Sequence, residues 1–412
     1  PPLRQRVVAA AVRGWLEKNR QDRQSSQSLP RATVHDSVAI ISGTAVGGGF
    51  LALPSVSGPM GLLPCVVGLC AVWLFLTLAG LVYAEAAART LELRGAGRRK
   101  DGEEGAVSVV SITRRFGRGL SALCGVLFAA QMYAVLTAQV VKFSAILQCT
   151  IGLPYVLGCV LPSALVGWFS FHADQRLVER ANTLLTISLT GGFVALVAKT
   201  VAGLLQGECA QWGGLARRLA FRDWGPLLPT VQPASAWVVP VFLNMLSFGQ
   251  GIPFVVERLG ADRVKDARLA IIIGSAVPLL MSVLWAFTCI ALRPSAAVVA
   301  AAGDPVLSML RGPAAVAVPV GLLAVGALGT SLISSYLSLG QFAADAVRSV
   351  AGRRWTKQGQ AASGVAAVAL PAVLACSGPD LYLPLLAFSG AFPTTVLYCL
   401  VPALVRPSQE RR

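Results

Sequence analysis

Long apolar runs constrain this chain more than any other feature of its sequence. The stretch from Leu62 to Ala84 contains no charged residue, and similar runs recur along nearly the whole chain. About 20 consecutive apolar residues are enough to cross the hydrocarbon core of a bilayer. Charged residues make up only 13% of the chain, whereas soluble domains contain about 25%. The sequence therefore predicts an all-α membrane protein embedded in a lipid bilayer.

The apolar runs predict about ten transmembrane helices. Their approximate bounds are 37–57, 62–88, 119–149, 154–171, 181–205, 236–257, 268–292, 315–347, 360–377 and 381–404. The basic residues are distributed unevenly between the loops that these helices leave. Loops on the side of the N-terminus contain 28 of the 35 Lys and Arg residues, and loops on the other side contain five.

This asymmetry predicts an orientation, because cytoplasmic loops are enriched in Lys and Arg. The N-terminus is expected on the cytoplasmic side, or on the stromal or matrix side of an organelle membrane. The net charge of +16 is explained by the same loops. No nucleic-acid partner is therefore expected.

The chain divides into five predicted segments. Residues 1–35 form a basic N-terminal segment, 36–205 and 236–405 each hold five helices, 206–235 form an outside loop, and 406–412 form a tail. The first segment is rich in Arg and poor in acids, which is typical of a transit peptide for an organelle such as the plastid, where the inner envelope is a candidate membrane. A basic cytosolic tail is an equal alternative. The sequence begins with Pro and not Met, so this question stays open.

Two of the predicted helices contain helix-breaking residues near their middle. The first carries Gly43 and the run 47–49, followed by Pro54, and the sixth carries Gly249 and Gly251, followed by Pro253. Glycine costs a helix interior about 1 kcal/mol relative to alanine, and proline removes a helix donor. Both helices are therefore predicted to be interrupted inside the membrane.

Paired interruptions of this kind suggest a binding site. Main-chain groups freed from a helix are tolerated in a membrane only where they are buried in protein or line a wet cavity. Interrupted helices at matching positions of two halves are a property of inverted-repeat transporters. Helix N-termini attract an anion, and exposed carbonyl oxygens attract a cation. Two interrupted helices therefore offer both kinds of group that a zwitterionic amino acid needs. The alternative is that the glycines only allow close helix packing.

Several segments resemble the tryptophan/tyrosine permease family. They are SGTAVGGGFLALP at 42–54, PVF at 240–242, GIP at 251–253, IGSAVPL at 273–279 with Trp285, TSL at 330–332, FSGAF at 388–392 and PA at 402–403. The resemblance covers about residues 36–405. It implies a permease of aromatic and hydroxy amino acids within the amino acid–polyamine–organocation superfamily. It also implies a LeuT-type 5+5 inverted repeat in which helices 1 and 6 are broken.

The chain departs from the family pattern in two places. The family usually has a histidine after an aromatic residue in the sixth helix, whereas here Phe248 is followed by Gly249 and Gln250. Bacterial members tend to have an eleventh helix, whereas this sequence ends about eight residues after the tenth. Either that helix is missing from the sequence or this branch lacks it.

The candidate substrate site follows from the two breaks. The substrate carboxylate is expected at the main-chain N–H groups around Thr44 and residues 47–49, and its ammonium group at carbonyls around Ser247 to Gly249. Phe248 would pack against the substrate or gate it. Gln131 of the third helix would line the cavity. The substrate-binding candidates are Thr44, Gly47, Gly48, Gly49, Ser247, Phe248, Gly249, Gln250 and Gln131.

Polar residues inside the membrane give a candidate ion-coupling site, because such residues are costly and often functional. Lys199 of the fifth helix could act as a cation between helices one, five and eight. Thr330, Ser331 and Ser334 of the eighth helix could provide hydroxyl ligands. For Lys199 and for Lys142 of the third helix, snorkelling of the side chain to the membrane surface is the alternative, and it is favoured slightly for Lys199 and more strongly for Lys142.

Together these patterns predict a secondary amino-acid transporter that works by alternating access. Aromatic or other neutral substrates and proton coupling are expected, and sodium coupling is the alternative. A channel or a membrane scaffold without transport is the rival of a different class. We expect no enzyme, because no two carboxylates share the centre of a helix and His35 and His172 lie at helix ends. No cofactor and no metal site are expected.

Overall fold

The computed structural model describes residues 33–95, 112–113, 117–205, 222–227, 237–292, 303–351 and 357–410, and the regular structure in these ranges is helical throughout. Residues 1–32 of the predicted N-terminal segment and most of the loop 206–235 lie outside the described residues. The principal helices are α1 (Val34–Ala45), α2 (Leu53–Met60), α3 (Leu62–Gly95), α4 (Arg118–Ile151), α5 (Tyr155–His172), α6 (Gln175–Leu205), α7 (Val238–Met245), α8 (Ile252–Leu259), α9 (Val264–Ala291), α10 (Pro305–Leu310), α11 (Ala314–Ala351), α12 (Lys357–Ala375), α13 (Tyr382–Ser389) and α14 (Val401–Glu410).

Most of the predicted crossings are present. In the described ranges, eight helical segments are long and apolar enough to cross a membrane, and the bent pair α1–α2 passes together as one more. The predicted crossing at 360–377 coincides with α12. In the part of the chain that the structure describes, the apolar section of this helix is Val365–Ala375, which is shorter than the other crossings. About 20 residues are needed for a full crossing. The ninth of the ten predicted crossings is therefore not established by length and apolarity.

Local sequence signals explain where α1 begins. The Thr33 hydroxyl accepts a hydrogen bond from the main-chain N–H of Asp36 at 3.2 Å, and the Asp36 carboxylate accepts one from the main-chain N–H of Thr33 at 3.0 Å. This reciprocal capping box satisfies two N–H groups that a helix start would otherwise leave unpaired. It fixes the start of the first crossing just before the apolar run.

Two glycines with positive φ turn the chain at corresponding places in the two halves. Gly61 (φ 81°) separates α2 from the long helix α3, and Gly260 (φ 93°) follows α8 just before α9. Glycine takes up this backbone region without the steric cost that a Cβ atom causes. In both halves, a half-helix, an interruption, a second half-helix, a glycine turn and a long helix therefore follow one another.

Glycines also set the distance between α6 and α11. A Cβ atom on Gly192 of α6 would lie 2.5 Å from the carbonyl oxygen of Pro319 and 2.6 Å from the main-chain nitrogen of Leu323, both in α11. A Cβ atom on Gly326 would lie equally close to the main chain of Leu185 in α6. Small residues let membrane helices approach until their main chains touch. The pair α6–α11 is therefore packed main chain against main chain.

We expect Gly192→Leu to destabilise the protein, because the atoms in contact belong to the rigid main chain of α11 and cannot move aside. Overpacking of a core costs about 1–3 kcal/mol, and sometimes more. Gly191→Leu is the matched control, because a Cβ atom at this neighbouring position meets nothing within 4 Å. Thermal unfolding of the purified variants in the same detergent measures the difference. Equal melting temperatures for the two variants would contradict the close packing.

Candidate functional site

The first predicted break is a short extended segment within the membrane. Helix α1 ends at Ala45, and Val46 (φ −87°, ψ 109°) and Gly47 (φ −158°, ψ −162°) are extended. A 3-10 turn over Gly48–Ala52 then leads into α2. The two half-helices meet at an angle of 44°. Gly43, which the sequence placed near the break, lies inside regular α1.

Side chains from three other helices bond to the main chain of this break. The N–H of Gly48 donates to the Ser331 hydroxyl of α11 at 2.8 Å, and the Tyr382 hydroxyl of α13 donates to the carbonyl of Gly48 at 2.8 Å. The indole N–H of Trp285 in α9 donates to the carbonyl of Phe50 at 3.1 Å. The sequence predicted main-chain polarity that lies bare to a chamber. In this conformation both polar groups of Gly48 are instead occupied by protein side chains.

The first break has no room for side chains at Gly47 and Gly48. A Cβ atom on Gly47 would collide with the Ser331 hydroxyl, and one on Gly48 would lie 2.9 Å from Cγ of Gln139 and 3.2 Å from Cδ2 of Leu328. The amide oxygen of Gln139 is buried and has no hydrogen-bond partner in the structure. A buried acceptor without a partner costs about 1–3 kcal/mol. An unsatisfied acceptor therefore lies directly beside the break.

The second predicted break is gentler than the first. Helix α7 ends at Met245, the chain leaves helical geometry at 246–248, and a 3-10 turn at Gly249–Gly251 leads into α8. The whole segment Val238–Leu259 still passes as one crossing. The sixth predicted helix is therefore interrupted without the sharp bend of the first.

Gly249 lies against the ring of a tyrosine from the last crossing. A Cβ atom on Gly249 would lie 2.7 Å from both Cβ and Cδ1 of Tyr398. The Tyr398 hydroxyl donates to the amide oxygen of Gln131 at 3.3 Å, and the amide nitrogen of Gln131 donates to the hydroxyl of Thr394 at 3.0 Å. No side chain fits at Gly249 while Tyr398 occupies this space. The structure therefore gives a steric reason for the missing histidine.

The two breaks contact each other. A Cβ atom on Gly49 of the first break would lie 3.4 Å from the Asn244 amide nitrogen at the end of α7, and one on Gly251 of the second would lie 3.2 Å from the Thr44 hydroxyl. The Asn244 amide oxygen accepts a hydrogen bond from the Ser389 hydroxyl at 3.0 Å. The predicted substrate residues are thus brought into one region. Of these residues, Thr44 and Gln250 are exposed.

The space in this region is small. A cavity of about 10 Å³ lies at the second break, which is about the volume that one water molecule needs. Its lining residues are Leu76, Gly80, Ser247, Phe248, Gly249, Ile252, Tyr398 and Cys399. The cavity does not reach the first break. A solute larger than a water molecule therefore does not fit in this cavity without a change in the packing around it.

The predicted ion-coupling residues are divided between two places. Ser331 bonds to the first break, Thr330 donates to the carbonyl of Gly326 at 2.9 Å, and Ser334 is exposed and donates to the carbonyl of Ser331 at 3.1 Å. Lys199 is also exposed, on α6.

The packing of α6 shows how far Lys199 lies from the serines. Leu185 of α6 packs on Gly326 and Gly329, just before Ser331 in α11. Lys199 follows Leu185 by 14 positions, which is roughly 21 Å along a helix. The structure does not bring Lys199 to Ser331.

Lys142 differs from the prediction that its side chain snorkels to the membrane surface. Its side chain is only 3% exposed, and its ammonium nitrogen lies 2.5 Å from a carboxylate oxygen of Asp304. The same nitrogen lies 4.8 Å from the centre of the Tyr382 ring. A buried charge is stable only when it is paired. The snorkelling interpretation is wrong, because Asp304 at the start of α10 provides a counter-charge inside the protein.

Three residues that contact the breaks were not among the predicted site residues. Tyr382, Tyr398 and Trp285 each donate a hydrogen bond at or next to a break. A usable signal was present, since buried Tyr and Trp need a partner for their O–H or N–H group. All six tyrosines of the chain fall in helical segments.

Two known proteins are similar to this chain, one in sequence and one in fold. A tyrosine permease of Enterobacter agglomerans is 26% identical over 255 residues, which are 60% of this chain and 55% of that protein. The aligned part thus spans about half the length of this relative. The manganese transporter of Eremococcus coleocola, solved in complex with an aromatic bis-isothiourea substituted compound, superposes with a TM-score of 0.53. The match covers 89% of this chain and 77% of the transporter at 14% sequence identity. An identity this low supports similarity of fold alone.

The family comparison covers nearly the whole chain. Residues 31–412 match the tryptophan/tyrosine permease family. Segments that carried the resemblance in the sequence contribute Ser331, Trp285 and Ser389 to the surroundings of the breaks. The chain is a multi-pass membrane protein, and it belongs to the tryptophan/tyrosine permease family.

Proposed function

We propose that this chain is a secondary active transporter of amino acids, of an aromatic or other neutral kind, that works by alternating access. Family membership and the tyrosine permease relative support amino-acid transport. The observation that carries the proposal is the bonding at Gly48, whose N–H and C=O groups are held by the side chains Ser331 and Tyr382. Side-chain partners of this kind can be exchanged for a ligand without unfolding a helix.

We further propose that 36–205 and 236–405 are the two repeats of a LeuT-type 5+5 inverted repeat. In support, an interrupted crossing opens each half, and each is followed by a glycine turn, at Gly61 and Gly260, and a long helix. Transporters of this plan bind their substrate near the middle of the bilayer, at the interface of the repeats. The contact between the two breaks is the corresponding place in this chain.

In the proposed complex, the substrate carboxylate replaces the Ser331 hydroxyl at the N–H of Gly48. The N–H groups at Gly47 and Gly49 and the hydroxyl of Thr44 lie in the same segment and complete the anion site. A carboxylate accepts more strongly than a hydroxyl, so the exchange is favourable once the cleft opens.

The ammonium group of the substrate needs acceptors on the other side of the cleft. The carbonyls around Ser247 to Gly249 supply them. The unpaired amide oxygen of Gln139, which lies beside the first break, is a further acceptor for the same group. Phe248, which is buried at the edge of the cavity, packs against the substrate side chain. Gln131 and Gln250 provide polar groups beside it.

The same exchange offers a mechanism of ion coupling. Once the carboxylate has taken the N–H of Gly48, the Ser331 hydroxyl is free to bind a cation together with Thr330 and Ser334. Neutral hydroxyls of this kind offer lone pairs to a metal cation, so this cluster suits sodium, which is the alternative coupling ion. For the proton that we propose as the driving ion, the candidate carrier is Lys199. Lys199 lies outside this cluster, so its role in coupling rests on the sequence alone.

Binding of a neutral amino acid is expected to raise the melting temperature of the purified protein, because a ligand that binds only the folded state stabilises it by about 2.7 kcal/mol at 100 times its Kd. Gly48→Leu should abolish this shift and also uptake into liposomes, since a side chain there meets Gln139 and Leu328. Gly43→Leu is the control, because a Cβ atom at Gly43 meets nothing within 4 Å. A screen of the twenty amino acids measures the shift.

The outcome decides between the candidate functions. Saturable, stereoselective uptake supports the transporter, and gradient-independent flux without saturation supports a channel. Uptake that persists without sodium but stops when the proton gradient is collapsed supports proton coupling. No shift and no uptake with any amino acid would refute the proposed substrate class.

The packing of Gly249 on Tyr398 generates a separate prediction. We propose that the hydroxyl of Tyr398 supplies the polarity that the family places on a histidine. Gly249→His alone should destabilise the protein, whereas Gly249→His combined with Tyr398→Gly should recover part of the loss, because both the Cβ atom and the ring that meet Gly249 are then removed. Melting temperatures of the two variants, with Tyr398→Gly as control, test this. A double variant no more stable than Gly249→His would contradict the steric explanation.

A further inference from the structure

A buried ion pair connects to the first break through one aromatic ring. Lys142 of α4 and Asp304 form this pair at 2.5 Å, with side-chain exposures of 3% and 22%. The Lys142 ammonium lies over the ring of Tyr382 at 4.8 Å, and the hydroxyl of that ring donates to the carbonyl of Gly48 at 2.8 Å. A continuous chain of contacts therefore joins Asp304 to the main chain of the proposed substrate site.

The geometry of Asp304 gives the pair a second function. One carboxylate oxygen of Asp304 accepts from the N–H groups of Val306 and Leu307 at 2.8 and 3.3 Å, and so caps the N-terminus of α10. The other oxygen pairs with Lys142. The short helix α10, which packs on α2, α4 and α11, is thus held against the bundle by the same carboxylate.

Stability alone is a weak reason for such a pair. Burying two charges costs several kcal/mol per ion, and the attraction between the two ions has to offset this cost. An apolar pair in the same place is often equally stable. The cation also has a second favourable contact, since an ammonium over an aromatic ring gains about 0.5–2 kcal/mol. A device that must open and close can use such a nearly balanced interaction.

We propose that Lys142, Asp304 and Tyr382 form a latch that closes the substrate site toward the α10 end of the bundle and must open in every transport cycle. These are positioning residues, and the proposal rests on the proposed transport function. When the pair separates, α10 moves away from the bundle and the Lys142 ammonium group no longer contacts the Tyr382 ring. The hydrogen bond to Gly48 is then released, and the site opens on that side.

The other end of the bundle has a pair of a different kind. Arg268 of α9 bonds to Glu85 of α3, with side-chain exposures of 46% and 24%. This pair is more exposed than the pair at Lys142. Surface pairs contribute about 0–1 kcal/mol. The pair at Lys142 reaches the main chain of the first break through the Tyr382 ring, so its opening is coupled to the site.

The test compares Lys142→Met with wild type in proteoliposomes. Lys142→Met should lower net uptake at least tenfold while the protein still shows a thermal shift with the transported amino acid. Lys142→Arg should retain much of the rate. Lys265→Met is the control, because Lys265 is an exposed lysine at the start of α9, and wild-type uptake is expected.

A purely structural pair would give another result. In that case Lys142→Met would lower the melting temperature, and its uptake per folded molecule would equal that of wild type, which would overturn the latch. If wild type itself neither binds nor transports any amino acid, the proposed function fails, and the latch fails with it. If wild type transports and the variants behave like the control, the latch alone is refuted.

The wild-type protein gives a second measurement should Lys142→Met not fold. An apolar carbodiimide joins an amine to a carboxylate only where the two are in contact. It should link Lys142 to Asp304, as read by mass spectrometry, and uptake should fall in proportion to the link. Absence of the link, or a link formed without loss of uptake, would overturn the proposal.

Discussion

Every main-chain polar group inside a membrane needs a partner, and this requirement organises the structure around the first break. A continuous helix satisfies its own N–H and C=O groups, but at Val46 and Gly47 the chain is extended. The bilayer offers no water in exchange. The missing bonds are supplied by side chains from three other helices. The break can therefore exist only in a bundle that brings those helices together.

The partners of the break also make it a site that can change. A hydrogen bond from a hydroxyl to the main chain contributes about 1 kcal/mol net, so each can be exchanged for a ligand at small cost. A glycine keeps the two breaks close at Gly251, because a Cβ atom there would lie 3.2 Å from the Thr44 hydroxyl, which is tighter than ordinary van der Waals contact. Stacking of Phe50 on Trp285, with ring centres 5.7 Å apart, anchors the far side of the turn. One side of the first break is therefore held by packing, and the hydrogen-bonding side chains on the other side can change partners.

The sequence predicted the crossings and the interruptions well, because both depend on local composition. Apolar length set the helices, and Gly47 with its neighbours marked the first break within a few residues. Gly43 misled, since one glycine in a helix that meets no neighbour remains helical. The crossing predicted at 360–377 stays a prediction, because the apolar section described for α12 is Val365–Ala375.

The partners across the bundle could not be predicted from the sequence in the same way. Lys142 and Asp304 are 162 positions apart, and an intramembrane lysine has the same local pattern whether it snorkels or is paired. The position of Tyr398 against Gly249 depends on how the last crossing packs on the sixth. Ser331 was predicted as an ion ligand from its residue type, but its bond to Gly48 follows only from the contact of α11 with the break. Each of these pairings depends on contacts between distant parts of the chain.

The central claim is that a small zwitterion takes the place of protein side chains at the two interruptions. An experimental structure in lipid nanodiscs with a bound neutral amino acid tests it most directly. The account predicts the carboxylate of the ligand at the N–H of Gly48, with the Ser331 hydroxyl displaced, and the ammonium group toward Ser247 to Gly249. A ligand bound elsewhere, or a first crossing that runs as one unbroken helix through Val46 and Gly47, would contradict it.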